Sequence, residues 1–355
     1  MFKLIEKIEN VRSFALDGDY LYLNLTSKKV IEYYTNKILI SDVWLTDFIN
    51  YSNSIFINGI YPGSFHICEM NVQQFDYSLL YLEKDILIRR LQNEKEGNKT
   101  LILNYKTNEV CGEIDTCSLV FIKHNNIYCK RSNDKKKIEA YSFPEAKSLW
   151  EFELSQLGKY NKYNSDDKKF YKLRRFLYVI GNELFVSIDR CMLLVLDIAT
   201  GEETRRWHFM KNSTKDYLDE NANIVGGSEH FKKSDNEKYL HKFNDKYYVK
   251  IDLQTNEVFV EDLTETLNKN KIRVFRNQGV IIETKDNLLT IGEGVKLGPK
   301  DDHVVLCAVN KMTFEIERLY TDPDFSLIND MYQLLNDKLY ILNATNDLMI
   351  FEKME

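Results

Sequence analysis

Seven short segments of this chain share one form: an apolar stretch, a tight polar turn, then a second apolar stretch. They are ALDGDYLYLNL at 15–25, LLYLEKDILIR at 79–89, SLVFIKHNNIYCK at 118–130, FLYVIGNELFVSI at 176–188, LHKFNDKYYVK at 240–250, IRVFRNQGVIIET at 272–284 and MYQLLNDKLYILN at 331–343. Their turns carry Asn, Asp or Gly, the residues that tolerate the positive φ of two-residue hairpins. Taking turn centres at Gly18, Lys84, Asn125, Asn182, Asp245, Gln278 and Asp337, the intervals run from 33 to 66 residues. A repeat averaging about 51 residues with roughly four strands per unit is the pattern of a β-propeller. The expected fold is therefore all-β: one domain over 1–355, a seven-bladed propeller of four-stranded antiparallel blades. The segment Ser54–Ile60 fits an irregular blade, so six or eight blades stay open. Trp44–Asn50 reads as a short helix.

A second turn recurs between the outer strands, at Thr35-Asn36, Thr107-Asn108, Thr200-Gly201 and Thr255-Asn256. Asn stands there where Gly would be expected, since both reach left-handed backbone conformations. Near the C-terminus, KLYILN at 338–343 and DLMIFEK at 347–353 supply two strands after 331–335, one short of a four-stranded blade. The alternating FKLIEKI at 2–8 is expected to complete that blade, which removes two exposed edges.

The segment LDIATGEETRRW at 196–207 resembles the repeat of quinoprotein-like (PQQ-like) propellers, relatives of the WD40 class. In that repeat an Asp at a strand end runs into a Thr-Gly turn, and a following Trp docks between blades. Asp197, Thr200 and Gly201 match. Trp207 stands six residues after Gly201, where the repeat has about four. Trp150 has the expected spacing after Ala146 but lacks the Thr-Gly. The resemblance implies the fold and carries over no active site, since no quinone-binding residues match.

Composition narrows the function classes. The 48 basic and 54 acidic residues leave a formal charge of −6, which argues against a general nucleic-acid binder. No apolar run is long enough to span a membrane. The N-terminal MFKLIEKIENVRSF is interrupted by Glu6 and Glu9 and has no signal core, so a cytoplasmic protein is expected. The six cysteines, in apolar strand-like surroundings, are read as buried reduced thiols.

No catalytic residue, cofactor site or metal site is assigned. The six histidines show no ligand spacing, and Cys111 and Cys117 match no zinc knuckle. The stretch Gly292–Pro299 lacks the order of a phosphate loop and reads as an inter-strand loop. The paired carboxylates, among them Asp166/Asp167 and Asp301/Asp302, do not follow a calcium-loop pattern.

Longer connections are expected at 43–76, 155–173, 210–238 and 320–330, and at 92–99 and 292–302, all on one face of a propeller. Such loops on a rigid scaffold are where binding usually resides. The stretch 158–175 interleaves aromatic residues with Lys and Arg, a composition suited to protein interfaces. Tyr160, Tyr163, Phe170, Tyr171, Arg174 and Arg175 are the candidate partner-binding residues. The expected function is a non-catalytic protein that engages a protein partner through this face, as a scaffold or as an immunity-type (toxin-neutralising) protein. The alternative is a hydrolase or lyase acting on a carbohydrate or other polar ligand in the central funnel.

Overall fold

The computed structural model describes residues 2–42, 45–51, 54–59, 64–68, 71–75, 79–83, 86–91, 99–104, 106–115, 117–131, 136–161, 168–189, 191–209, 227–275, 282–295, 304–322 and 327–353. Strand β1 is Phe2–Ile8. Strands β2–β5 are Val11–Asp17, Tyr20–Leu25, Lys29–Glu32 and Lys37–Ser41. Strands β6–β9 are Leu45–Tyr51, Ser54–Gly59, Ser64–Cys68 and Asn71–Phe75. Strands β10–β13 are Leu79–Glu83, Ile86–Leu91, Lys99–Asn104 and Glu109–Asp115. Strands β14–β17 are Cys117–Lys123, Asn126–Arg131, Lys137–Ser142 and Ser148–Glu153. A small hairpin, β18 and β19, pairs Lys159–Asn161 with Lys168–Phe170. Strands β20–β23 are Leu173–Ile180, Glu183–Ile188, Met192–Asp197 and Glu203–His208. Strands β24–β27 are Lys232–Lys233, Tyr239–Asn244, Tyr247–Asp252 and Val258–Asp262. Strands β28–β32 are Ile272–Phe275, Ile282–Glu283, Asn287–Gly294, Val304–Asn310 and Ile316–Asp322. Strands β33–β35 are Leu327–Leu335, Lys338–Asn343 and Leu348–Lys353.

Apart from the small hairpin, each group of strands forms its own antiparallel sheet, as a propeller blade does. Seven of these sheets have four strands, one of them being β1-β35-β34-β33. The N-terminal strand thus completes the last blade, with Lys3 opposite Glu352 and Lys7 opposite Met349. The remaining sheet follows the same four-strand path, β28-β30-β31-β32, with β29 added on β30. The seven four-stranded antiparallel blades expected are thus present, with the five-stranded sheet in addition to them. The sheet β6–β9 fills the 66-residue interval between the turns at Gly18 and Lys84, within the stretch expected to be a loop. Its first strand also replaces the short helix expected at Trp44–Asn50. Leu45, Phe48 and Ile49 have a spacing compatible with a helix, but the pairing of β6 with β7 shifts register between Leu45 and Phe48. That irregularity breaks the period-two signature by which a strand is recognised.

The turns carry the backbone that their residues imply. Gly18, His124, Asn125, Gly181, Asp245, Asn336 and Asp337 have positive φ, as do Asn36, Asn108, Gly201 and Asn256. The outer turns share one hydrogen-bond scheme. Asp197 Oδ1 accepts the N–H groups of Ala199 and Thr200, both at 2.9 Å. Asp252 receives Gln254 and Thr255 at 2.8 and 3.0 Å, and Asn310 receives Met312 and Thr313 at 2.9 and 3.0 Å. The N–H of the left-handed residue then donates back four residues, Gly201 to Asp197 and Asn256 to Asp252, each at 2.9 Å. These bonds hold the carboxyls of Asp197 and Asp252 below the usual range, with the Thr200 and Thr255 N–H groups the largest causes.

The chain divides into two compact units, Met1–Arg90 with Tyr105–Thr107 and Glu265–Glu355, and Leu91–Asn104 with Asn108–Thr264. In the first, successive sheets pack face to face. One apolar cluster joins β28–β32 to the β33–β35/β1 sheet, another joins that sheet to β2–β5, and a third joins β2–β5 to β6–β9. In the second, β14–β17 pack on β20–β23, and these on β24–β27. A middle sheet is buried on both faces, so its central strands are almost continuously buried, as in β3, β22 and β34. The last strands of the sheets, such as β13 and β17, alternate with exposed residues. A two-sheet sandwich would bury one face of each sheet and show alternation throughout.

Both described tryptophans reach from the last strand of one sheet to the outer turn of the next. Trp150 Nε1 donates to Ile198 O at 2.8 Å, and Trp207 Nε1 donates to Asn256 O at 3.2 Å. The six-residue spacing of Trp207 preserves this role, because a shift of two positions along a strand keeps the side chain on the same face. The four-residue position is taken by Arg205, which donates to Leu253 O at 2.6 Å and to the Asn256 side chain. Gly201 has φ +74, and a Cβ there would lie 2.5 Å from the Trp150 ring. At Gly18, φ is +56 and no atom lies within 4 Å of such a Cβ. Gly18→Ala should lower unfolding free energy by about 1 kcal/mol, the left-handed cost alone. Gly201→Ala adds the ring collision and should lower it by about 2–4 kcal/mol. Equal losses by urea unfolding would contradict the docking role of this turn.

Candidate interaction surface

The surface expected to bind a partner begins where β17 ends. A 3-10 turn at Leu154–Leu157 buries both leucines against the β14–β23 core. Gly158, at φ 80, then leads into β18. Across the β18–β19 hairpin Lys159 faces Phe170, Tyr160 faces Lys169 and Asn161 faces Lys168. The Lys159 ammonium lies 4.6 Å from the centre of the Phe170 ring, and Phe170 is 47% exposed.

The chain then turns inward. Tyr171 and Leu173 are buried, and the Tyr171 hydroxyl lies 2.9 Å from His208 Nε2. The pairing of β20 with β21 shifts register between Leu173 and Arg175. This bulge leaves both Arg174 and Arg175 exposed before burial resumes at Phe176. Of the six candidate residues, Phe170, Arg174 and Arg175 are therefore at the surface. Tyr160 lies on β18 opposite Lys169, and Tyr163 falls outside the described residues. Tyr171 is a core residue whose polar end is satisfied internally, so it positions the surface rather than forming it.

Beneath the two arginines the segment 227–231 is clamped to the sheet. Arg174 Nε meets Glu229 Oε2 at 3.4 Å. The Ser187 and Ser228 hydroxyls are 2.8 Å apart and buried, and Tyr178 donates to Phe231 O at 3.1 Å. Lys242 donates to Gly227 O, and its ammonium lies 4.8 Å from the centre of the Phe231 ring. Burial pushes the Lys242 amine down to about 7, against the opposing pull of Glu229. Burial, with the Arg206 charge, pushes His208 down to about 4. Composition gave no sign of Lys242. Its signal is positional: it sits within LHKFN of β25, a strand buried along nearly its whole length.

The remaining long connections are described in part. Residues 92–98, 210–226, 296–303 and 323–326 lie outside the described residues. Gly292 and Gly294, read as part of a loop, belong to β30, opposite Val305 and Ile272. Among the described residues no group of His, Cys, Asp or Glu is arranged to hold a metal ion, and no helix is long and apolar enough to cross a membrane.

The fold is shared with BamB from Moraxella catarrhalis, with a TM-score of 0.55 and 11% identity over 100% of this chain and 98% of that one. It is also shared with the computationally designed Ika8 protein, with a TM-score of 0.52 and 9% identity over 99% and 98% of the two chains. At these identities the likenesses show the fold alone, a β-propeller. No protein-family model and no curated protein matches the sequence.

The two shifted bases set the direction of pH dependence. Below pH 6.5 the unfolded chain protonates its histidine while folded His208 stays neutral down to about 4, so stability falls as pH falls through this window. Between pH 7 and 10.5 the unfolded chain keeps its lysine charged while folded Lys242 loses its proton, so stability rises with pH. His208→Gln keeps an acceptor for Tyr171 and should flatten the acid limb. Lys242→Met should flatten the alkaline limb. Urea midpoints between pH 4.5 and 9.5, unchanged in slope by these substitutions, would contradict the assignments.

Proposed function

We propose that this chain works as one non-catalytic, protein-binding propeller over 1–355, and that its partner seats on β18, β19 and the start of β20. The observation that carries this reading is the placement of Phe170, Arg174 and Arg175. They stand exposed on elements whose neighbouring residues Leu154, Leu157, Tyr171 and Leu173 are locked into the core. Exposed aromatic and Arg side chains on a rigid base are the usual anchors of an interface. In its finer form the reading is an immunity-type protein that covers the working surface of a toxin.

The internal titratable groups also favour binding over catalysis. Tyr171 and His208 bond each other, and Lys242 is held by Gly227 O in the core. A cytoplasmic setting fits the thiols: Cys111, Cys117, Cys129, Cys191 and Cys307 are unbridged, and burial pushes Cys191 and Cys307 up to about 12.

The test is affinity capture from the native host with the unaltered chain and with the Phe170→Ser/Arg175→Ala variant. One stoichiometric protein should be recovered by the unaltered chain and reduced ~10-fold or more by the variant, with unchanged thermal unfolding. Absence of a stoichiometric partner, or capture indifferent to the substitutions, would overturn the reading.

A further inference from the structure

The proposed surface differs in charge from the chain that carries it. The chain as a whole has a formal charge of −6. The sequence over 159–175 instead holds seven cations against two carboxylates, Asp166 and Asp167; the six described cations are Lys159, Lys168, Lys169, Lys172, Arg174 and Arg175. All six are exposed. Two acidic groups bear on this stretch from neighbouring elements. Glu229 pairs with Arg174, and Asp189 accepts the backbone N–H of Lys172 at 2.6 Å. Among the described residues no ion pair engages Lys168, Lys169, Lys172 or Arg175.

No two of the described cations stand opposite each other across β18 and β19, and their charge is turned to solvent. A two-stranded ribbon is marginal by itself. The stretch keeps a surplus of positive charge that an acidic surface would complement, and the exposed Phe170 ring lies beside it. We infer that the partner's docking segment is an acidic stretch of protein with an apolar side chain that seats on Phe170, its carboxylates meeting Lys168, Lys169 and Arg175. This rests on the interaction reading above and names its chemistry.

Nucleic acid fits less well. A polyanion would be repelled by the −6 chain beyond this patch, and phosphate neutralisation needs a basic face longer than one hairpin. A short acidic protein segment fits within the patch, where charge complementarity sets orientation and association rate.

The test uses the full chain and fluorescence anisotropy with four probes: a short Asp/Glu-rich peptide bearing one Leu and one Phe, its Asn/Gln counterpart, an oligothymidylate, and phosphatidylserine vesicles. The acidic peptide should bind and the amide peptide should not. Lys168→Glu/Lys169→Glu should weaken the acidic peptide ~10-fold or more, Lys168→Gln/Lys169→Gln less, and added salt should weaken it steadily. Circular dichroism of both variants checks that the fold is kept. Equal binding of the two peptides, indifference to charge reversal, or tighter binding of the oligothymidylate or vesicles would overturn the inference. The host partner separates the two readings. Capture lost on Phe170→Ser/Arg175→Ala but kept on Lys168→Glu/Lys169→Glu rejects the acidic segment and keeps the interface. Capture kept by both variants rejects the interface itself.

Discussion

Within each unit a middle sheet must bury two faces, and the outer turn is the device that aligns one sheet with the next. In the second unit, an Asp at a strand end ties down the two following N–H groups, and a left-handed residue reverses the chain. The last strand of the preceding sheet carries an indole or guanidinium to the backbone of that turn. Trp150 reaches Ile198 O, and Arg205 with Trp207 reaches Leu253 O and Asn256 O. In the first unit, Arg318 stands four residues after Phe314 and donates to Asn270 O at 3.4 Å, in the segment that leads into β28 of its own sheet. A left-handed Phe314, at φ 55, is strained for an L-residue. The Asn310 bonds to Met312 and Thr313 help hold it there.

Much of this was readable beforehand, because hairpin turns demand residues that tolerate positive φ. Gly18, Asn125, Asp245 and Asp337 all adopt it, and the Thr-Asn and Thr-Gly turns do as well. The terminal seam was readable from a missing strand and a spare alternating one. The β6–β9 sheet was hidden, because the register shift between Leu45 and Phe48 gives its first strand a helix-like spacing. The role of Trp207 was hidden because a fixed spacing was sought where only face parity matters. A motif states which residues recur, whereas the strand requires only that the side chain point toward its neighbour.

The surface proposed to bind a partner is marked by composition, whereas the placement of its residues is not. Aromatic and basic residues mark 158–175, yet strand alternation sends Tyr171 inward to His208 and leaves Phe170 outside. The bulge after Leu173 turns what would be one exposed arginine into two. Lys242 was invisible because a lysine reads as solvated unless its strand is known to be buried on both faces. In the folded chain it closes the segment beneath the arginines, so the surface has a polar, internally bonded floor.

The central claim is that the chain ends are joined by the pairing of β1 with β35. Cysteines placed at Lys3 and Glu352, which are exposed and directly opposed in that pairing, test it most directly. The account predicts rapid, near-complete disulfide formation under mild oxidation, and little from an out-of-register pair at Glu6 and Glu352. No disulfide at the first pair, or equal yields at both, would contradict it.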